Sequence, residues 1–111
     1  MTEGIKTVVV PVSDLAASKA FYTELLGVAP AHDAPYYVGF DVAGQHFGLN
    51  PNGDVSEGPV YYWHVADLAA TRDALVAAGA TVVQDATKVG GTRTVATLKD
   101  IDGHTVGLAQ D

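Results

Sequence analysis

Cysteine is absent from the 111 residues. That excludes disulfides, thiolate metal sites and cysteine nucleophiles together. Basic side chains are scarce: 6 Lys and Arg face 13 Asp and Glu, for a formal net charge of −7. Nucleic acid and anionic membrane surfaces would repel such a chain, so neither is expected as a partner. No uninterrupted apolar run approaches the length that crosses a bilayer. Met1-Thr2-Glu3-Gly4 lacks a basic segment leading into an apolar one, so no secretory signal is read and a cytoplasmic location is expected. A serine nucleophile elbow, a phosphate-cradling glycine loop ahead of a helix and a His-Glu-x-x-His helix are also missing. What remains is one domain of ordinary size, able to bury roughly two thirds of the surface its unfolded chain exposes.

The chain resembles itself. Val12-Ser-Asp14-Leu15-Ala16-Ala17-Ser18-Lys19 recurs as Val65-Ala-Asp67-Leu68-Ala69-Ala70-Thr71-Arg72, at an offset of 53 residues. Gly44-Gln-His-Phe47-Gly48-Leu49 parallels Gly103-His-Thr-Val106-Gly107-Leu108, at an offset of 59. Two copies of one unit follow. Module 1 covers about residues 5–50, a linker about 51–58, and module 2 about 59–110. The modules join near Asn50-Pro51-Asn52-Gly53-Asp54, which is turn chemistry.

Each copy opens with a β-branched or aromatic strand, 7–12 and 60–65. Asp14 and Asp67 then stand where a side-chain oxygen caps the first turn of a helix. Leu15, Ser18, Phe21, Tyr22, Leu25 and Leu26 form the apolar stripe of the first helix, which Gly27 ends. Leu68, Thr71, Leu75 and Val76 belong to the second, which stops at Gly79. Three strands follow each helix. In copy one they lie near Val28, over 36–42 and over 45–49, with Ala43-Gly44 as the hairpin. In copy two they lie over 81–84, 92–99 and 105–110, with Asp100-Ile-Asp102-Gly103 as the turn. The unit is β-α-β-β-β, twice. Val89-Gly90-Gly91-Thr92 reads as a flexible loop.

This organisation resembles the vicinal oxygen chelate superfamily, which includes glyoxalase I, extradiol dioxygenases, and fosfomycin- and bleomycin-resistance proteins. The residues that carry the resemblance are Val12-Ser-Asp14-Leu15, Phe21-Tyr22 and Leu26-Gly27, then Asp100-Ile-Asp102-Gly103-His104. It spans nearly the whole chain. It implies an α+β fold in which two tandem βαβββ modules form an eight-stranded open cup with the ligand inside. Metal-dependent members carry His or Glu seven residues before each Asp-Leu and in the last strand of each copy. Here those positions are Thr7, Val60, Gly48 and Gly107. Divalent ions need converging oxygen or imidazole donors, so no metal and no cofactor is expected.

Strand alternation assigns the faces. Val8, Val10 and Val12, then Tyr61, Trp63 and Val65, should pack on the helices. Thr7, Val9, Tyr37, His46, Gly48, Val60, Tyr62, His64, Arg93, Val95 and Gly107 should face the cup and are the candidate ligand-binding residues. The small residues at Thr7, Gly48 and Gly107 are expected to leave room for a ligand, with Tyr37 and Tyr62 gripping a planar molecule. Plugging of the cup by those tyrosines is the plainer alternative. Arg93 would meet a carboxylate or phenolate, or pair with surface acids.

The expected function is binding of a small, aromatic molecule without turnover, of the sequestration or resistance type that bleomycin-resistance proteins resemble. A homodimer is implied by the same resemblance. Two enzyme readings compete. One is a metal-independent isomerase or lyase with His64 as general acid/base. The other is a displaced-metal lyase or dioxygenase using His46, His64 and Asp41.

Overall fold

The structure is a computed structural model that describes residues 2–89 and 91–111. Met1 and the Gly90 of the expected glycine loop lie outside the described residues. The element order is β1 (Thr2–Pro11), α1 (Leu15–Leu26), β2 (His32–Ala34), β3 (Tyr37–Val42), β4 (Gln45–Asn50), β5 (Val60–Val65), α2 (Leu68–Ala77), β6 (Thr81–Lys88), β7 (Thr94–Lys99) and β8 (Thr105–Gln110). A single 3₁₀ turn, Val55–Glu57, breaks the linker among the described residues. The order is βαβββ, twice.

Both helices start as the sequence implies. Asp14 accepts from the Ala17 N–H and Asp67 from the Ala70 N–H, at 3.0 and 3.1 Å. Gly27 ends α1 in the left-handed conformation with φ 70°, and its N–H closes on the Thr23 carbonyl. The first hairpin turns at Ala43 and Gly44, with φ 52° and 77°. That is the double positive φ of a tight turn matched to strand twist.

The chain divides into two compact units. One is Thr7–Val60; the other is Met1–Lys6 together with Tyr61–Asp111. In the first, β4 lies between β3 and the second half of β1. Its pairing with β3 is antiparallel and its pairing with β1 parallel, in the registers Phe40↔Phe47 and Val8↔Phe47. β2 adds to the outer side of β3. One face of this sheet packs Val12, Val38, Phe40 and Leu49 into a core, with Leu15, Tyr22 and Leu26 of α1 against it. In the second unit β8 runs parallel to β5 and antiparallel to β7, and β6 pairs with the far side of β7. Val65, Leu68, Ala96, Leu98 and Leu108 form its core.

Five expectations need correction. The strand placed near Val28 is instead His32–Ala34. Val28 packs on the core of its unit, and Pro30 offers no N–H to a ladder. β1 begins five residues early, at Thr2, and β6 runs four residues beyond 84, to Lys88. Both extensions are polar, and β6 is exposed along its full length, so hydrophobicity did not mark them. Tyr61 and Trp63 are on the strand face assigned to the helix, yet they are 51% and 37% exposed. α2 is short, and Val65, at the strand's end, is the side chain of that set that it buries. On α1, Phe21 and Leu25 of the expected stripe are also exposed.

Candidate active site

Opposite α1, the first unit presents the face that alternation assigned away from the helix. Registers place Thr7 beside His46 and Val9 beside Gly48, and Gly48 beside Gly39. Thr7 is buried, and Val9, Tyr37 and His46 are half-buried. Two glycines meet across β3 and β4 and open a trough. The Tyr37 ring lies along it. A methyl group at Gly48 would stand 1.9 Å from the Tyr37 hydroxyl, and one at Gly39 would stand 2.6 Å from the His46 ring and 3.1 Å from the tyrosine ring. No side chain larger than hydrogen fits at Gly48 while Tyr37 lies there.

Crossing the trough brings the Tyr37 hydroxyl to His46 Nε2 at 2.6 Å. The rings are nearly parallel, with an interplanar angle of 16°. On its other side His46 Nδ1 lies 2.7 Å from Asp41 Oδ1. A carboxylate can only accept, so it holds the hydrogen on Nδ1 and leaves Nε2 as the acceptor for the phenol. Asp41 is exposed, His46 half-buried and the Tyr37 hydroxyl is inside the trough. The chain of hydrogen bonds therefore runs from solvent inward. His32 flanks Tyr37 from β2, ring centroids 6.0 Å apart.

The second unit repeats the tyrosine-over-glycine arrangement with different partners. Tyr62 pairs with Gly107, and a methyl at Gly107 would stand 2.7 Å from the Tyr62 ring and 2.6 Å from the Tyr61 carbonyl oxygen. Burial pushes the Tyr62 hydroxyl pKa up. In the next row His64 and Val95 flank Ala109. His64 is buried, and its Nδ1 is 3.7 Å from an Asp111 oxygen. Arg93 Nε donates to the other Asp111 oxygen at 2.7 Å. Burial, then the charges of Arg93 and Lys6, lower the His64 pKa against the opposing pull of Asp111 and Glu3. The Arg93 hydrogen bond is the main reason that Asp111 is held below the usual carboxylate value. Val60, at the start of β5, is half-buried.

Registers set Thr7 with His46, Val9 with Gly48 and Tyr62 with Gly107, but the room expected over Gly48 and Gly107 is taken. The Tyr37 hydroxyl fills one position and the Tyr62 ring the other. Arg93 meets an acid at the chain end, the second of its two expected roles. The Tyr37–His46 bond was not anticipated. The sequence pattern does not signal Asp41 behind His46 or Asp111 beside Arg93.

A metal of the kind the resemblance implies does not suit these residues. Gly48 and Gly107 bring no donor, and tyrosines occupy the space where a ligand side chain would begin. Both ring nitrogens of His46 are committed, to Asp41 and Tyr37, which removes it from a displaced site. Among the described residues, Asp100, Asp102 and His104 can bring three donor atoms within 4.8 Å of one another, all exposed. Asp100 Oδ1 already accepts the Asp102 and His104 N–H groups, each at 2.9 Å, so this group organises the last hairpin.

Residues 4–108 match the Glyoxalase/Bleomycin resistance protein/Dioxygenase superfamily. The chain belongs to that superfamily, and its α+β fold of paired βαβββ modules is the family's. Among solved structures it is similar to methylmalonyl-CoA epimerase from Mycobacterium tuberculosis, with TM-score 0.75 and 17% identity over 98% of this chain and 88% of that one. It is likewise similar to a superfamily member from Vibrio splendidus 12B01, with TM-score 0.71 and 16% identity over the full length of both. The Mn(II)-bound glyoxalase from Novosphingobium aromaticivorans matches with TM-score 0.76 and 20% identity, over 99% of this chain and 39% of that one. These likenesses establish the fold. No curated protein matches the chain significantly. No helix among the described residues is long and apolar enough to cross a membrane.

Proposed function

We propose that this chain is a metal-independent member of the superfamily that binds a small aromatic molecule and sequesters it. The observation that carries the reading is that each module lays a tyrosine over the last-strand glycine where metal-dependent relatives carry a ligand. Tyr37 and Tyr62 supply flat apolar area with a polar tip, which suits a planar molecule with a hydrogen-bonding edge. Thr7, Val9, His46, Val60, His64, Arg93 and Val95 complete the proposed contacts, and the chain is proposed to act as a cytoplasmic homodimer. Titration with a panel of planar aromatic compounds, followed by Tyr and Trp fluorescence, should saturate. Mass spectrometry of the same mixtures, with a panel that holds no esters, should find every compound unaltered. Tyr62→Ala should weaken binding roughly tenfold, the worth of one lost ring contact. Unchanged affinity in that variant overturns the placement, and binding that requires an added divalent ion overturns the reading.

A second reading is favoured by one observation. His64 is buried and its pKa lowered, so its imidazole is neutral at pH 7 and able to take a proton. A metal-independent isomerase or lyase would use it as general base. Product formation that His64→Ala abolishes while binding persists would replace sequestration with this chemistry.

A further inference from the structure

The hydrogen-bond chain in the first unit has the form of an activated nucleophile. A nucleophile is within reach of a base, and a third group orients the base. We propose that Asp41, His46 and Tyr37 make the Tyr37 phenol a base-activated nucleophile that accepts an acyl group from neutral, activated acyl compounds such as aryl esters. This goes beyond the binding reading, and its failure would leave that reading intact.

Three features of the geometry converge on it. First, Asp41 orients the His46 ring: Nδ1 faces the carboxylate at 2.7 Å, which turns Nε2 toward the phenol as its acceptor. Second, the Tyr37 hydroxyl sits 2.6 Å from that nitrogen. Third, Gly39 and Gly48 both have to lack a side chain for the contact to exist, since a methyl at either would collide with Tyr37 or His46. A tyrosine merely filling space would not need His46 at one end and an acid behind it. In the step itself, the Tyr37 O–H bond breaks and its proton passes to His46 Nε2. Oη bonds to the acyl carbon, and the ester C–O bond breaks. The departing aryl oxygen takes the proton from His46 or leaves as the phenolate, His46 then losing its proton to water. Asp41 stabilises the transient imidazolium. The products are O-acyl Tyr37 and the free phenol.

The intact chain is treated with p-nitrophenyl acetate. Release of p-nitrophenol is followed by absorbance, and the acetylated residue is mapped by peptide mass spectrometry. Tyr22, Tyr36, Tyr61 and Tyr62 serve as internal controls; Tyr36 and Tyr61 are more than half exposed. Tyr37 should acetylate fastest. His46→Gln should slow it ~100-fold, the usual weight of a general base. Asp41→Asn should slow it by about tenfold or more, because an amide no longer selects one tautomer. Tyr37→Phe keeps the ring over Gly48 and should remove the acetyl group from this site. ¹⁵N NMR of the unmodified chain should show His46 protonated on Nδ1, a readout that a packing role would not require and that does not depend on the folding of any variant. Acetylation spread over the tyrosines by exposure, modification of Tyr37 that is indifferent to His46→Gln, acetyl transfer to His46 itself, or an Nε2–H tautomer would each overturn the proposal.

Discussion

At the scale of single residues, the glycines carry as much of the site as the side chains do. Gly48→Ala places a methyl 1.9 Å from the Tyr37 hydroxyl, so the ring must leave the trough. The expected cost is ~1–3 kcal/mol from overpacking, with the lost hydrogen bond inside that range. Urea unfolding of a double-mutant cycle checks it. In a Tyr37→Ala background the same Gly48→Ala change should cost less than half as much, because the obstructing ring is gone. Equal costs in both backgrounds would mean that the ring does not lie over Gly48.

His64 makes a residue-scale prediction of a different kind. Burial and Arg93 disfavour its imidazolium in the folded chain, so the unfolded chain binds that proton more readily. Folding stability is then fully present above the ordinary value of 6.5 and is lost as pH falls through the lowered folded-state value. Thermal melts of His64→Gln and the parent chain, compared between pH 7.5 and 5, should converge toward low pH. A constant difference between them would show that His64 titrates alike in both states.

Elements differ in how plainly the sequence announces them. Asp14 and Asp67 declare both helix starts because a cap is a local bargain between one side chain and the first turn. The hydrophobic alternation of 38–42 and 45–49 declares β3 and β4 for the same kind of reason: Val38, Phe40 and Leu49 must be buried. β2 and the first half of β1 are polar, and neighbouring strands decide them, so they were not legible. The Tyr37–His46 contact was hidden at a finer level. Alternation gives the face, but a bond that runs diagonally over two glycines depends on ring length and register, which pattern alone does not supply. The turn between β3 and β4 offers a test at this scale. Ala43 holds φ at 52°, a conformation that costs an alanine ~1 kcal/mol and that asparagine tolerates. Ala43→Asn should stabilise the chain by ~0.5–1 kcal/mol and raise its melting midpoint by a few degrees. A lower midpoint would show that the turn depends on something other than backbone preference.

For the whole molecule the decisive question is whether an ion belongs to it. Membership of the superfamily alone would invite a divalent metal, and a net charge of −7 would attract one. Charge without convergent donors gives only loose, water-separated association, because an ion gives up its hydration shell only to ligands that replace it. Donors fail to converge at Gly48 and Gly107, the His46 nitrogens are both engaged, and the oxygen of Asp100 nearest the turn already holds two backbone N–H groups. A resident ion held a thousandfold above its Kd would add ~4 kcal/mol to stability by mass action, and a chelator would take it away. The melting midpoint of this chain should therefore be the same in EDTA, in buffer alone and with added manganese or zinc, and protein purified without chelator should carry no stoichiometric metal. A midpoint that falls in EDTA and recovers with one added ion would show that the chain holds a metal on donors other than the side chains at Thr7, Gly48, Val60 and Gly107.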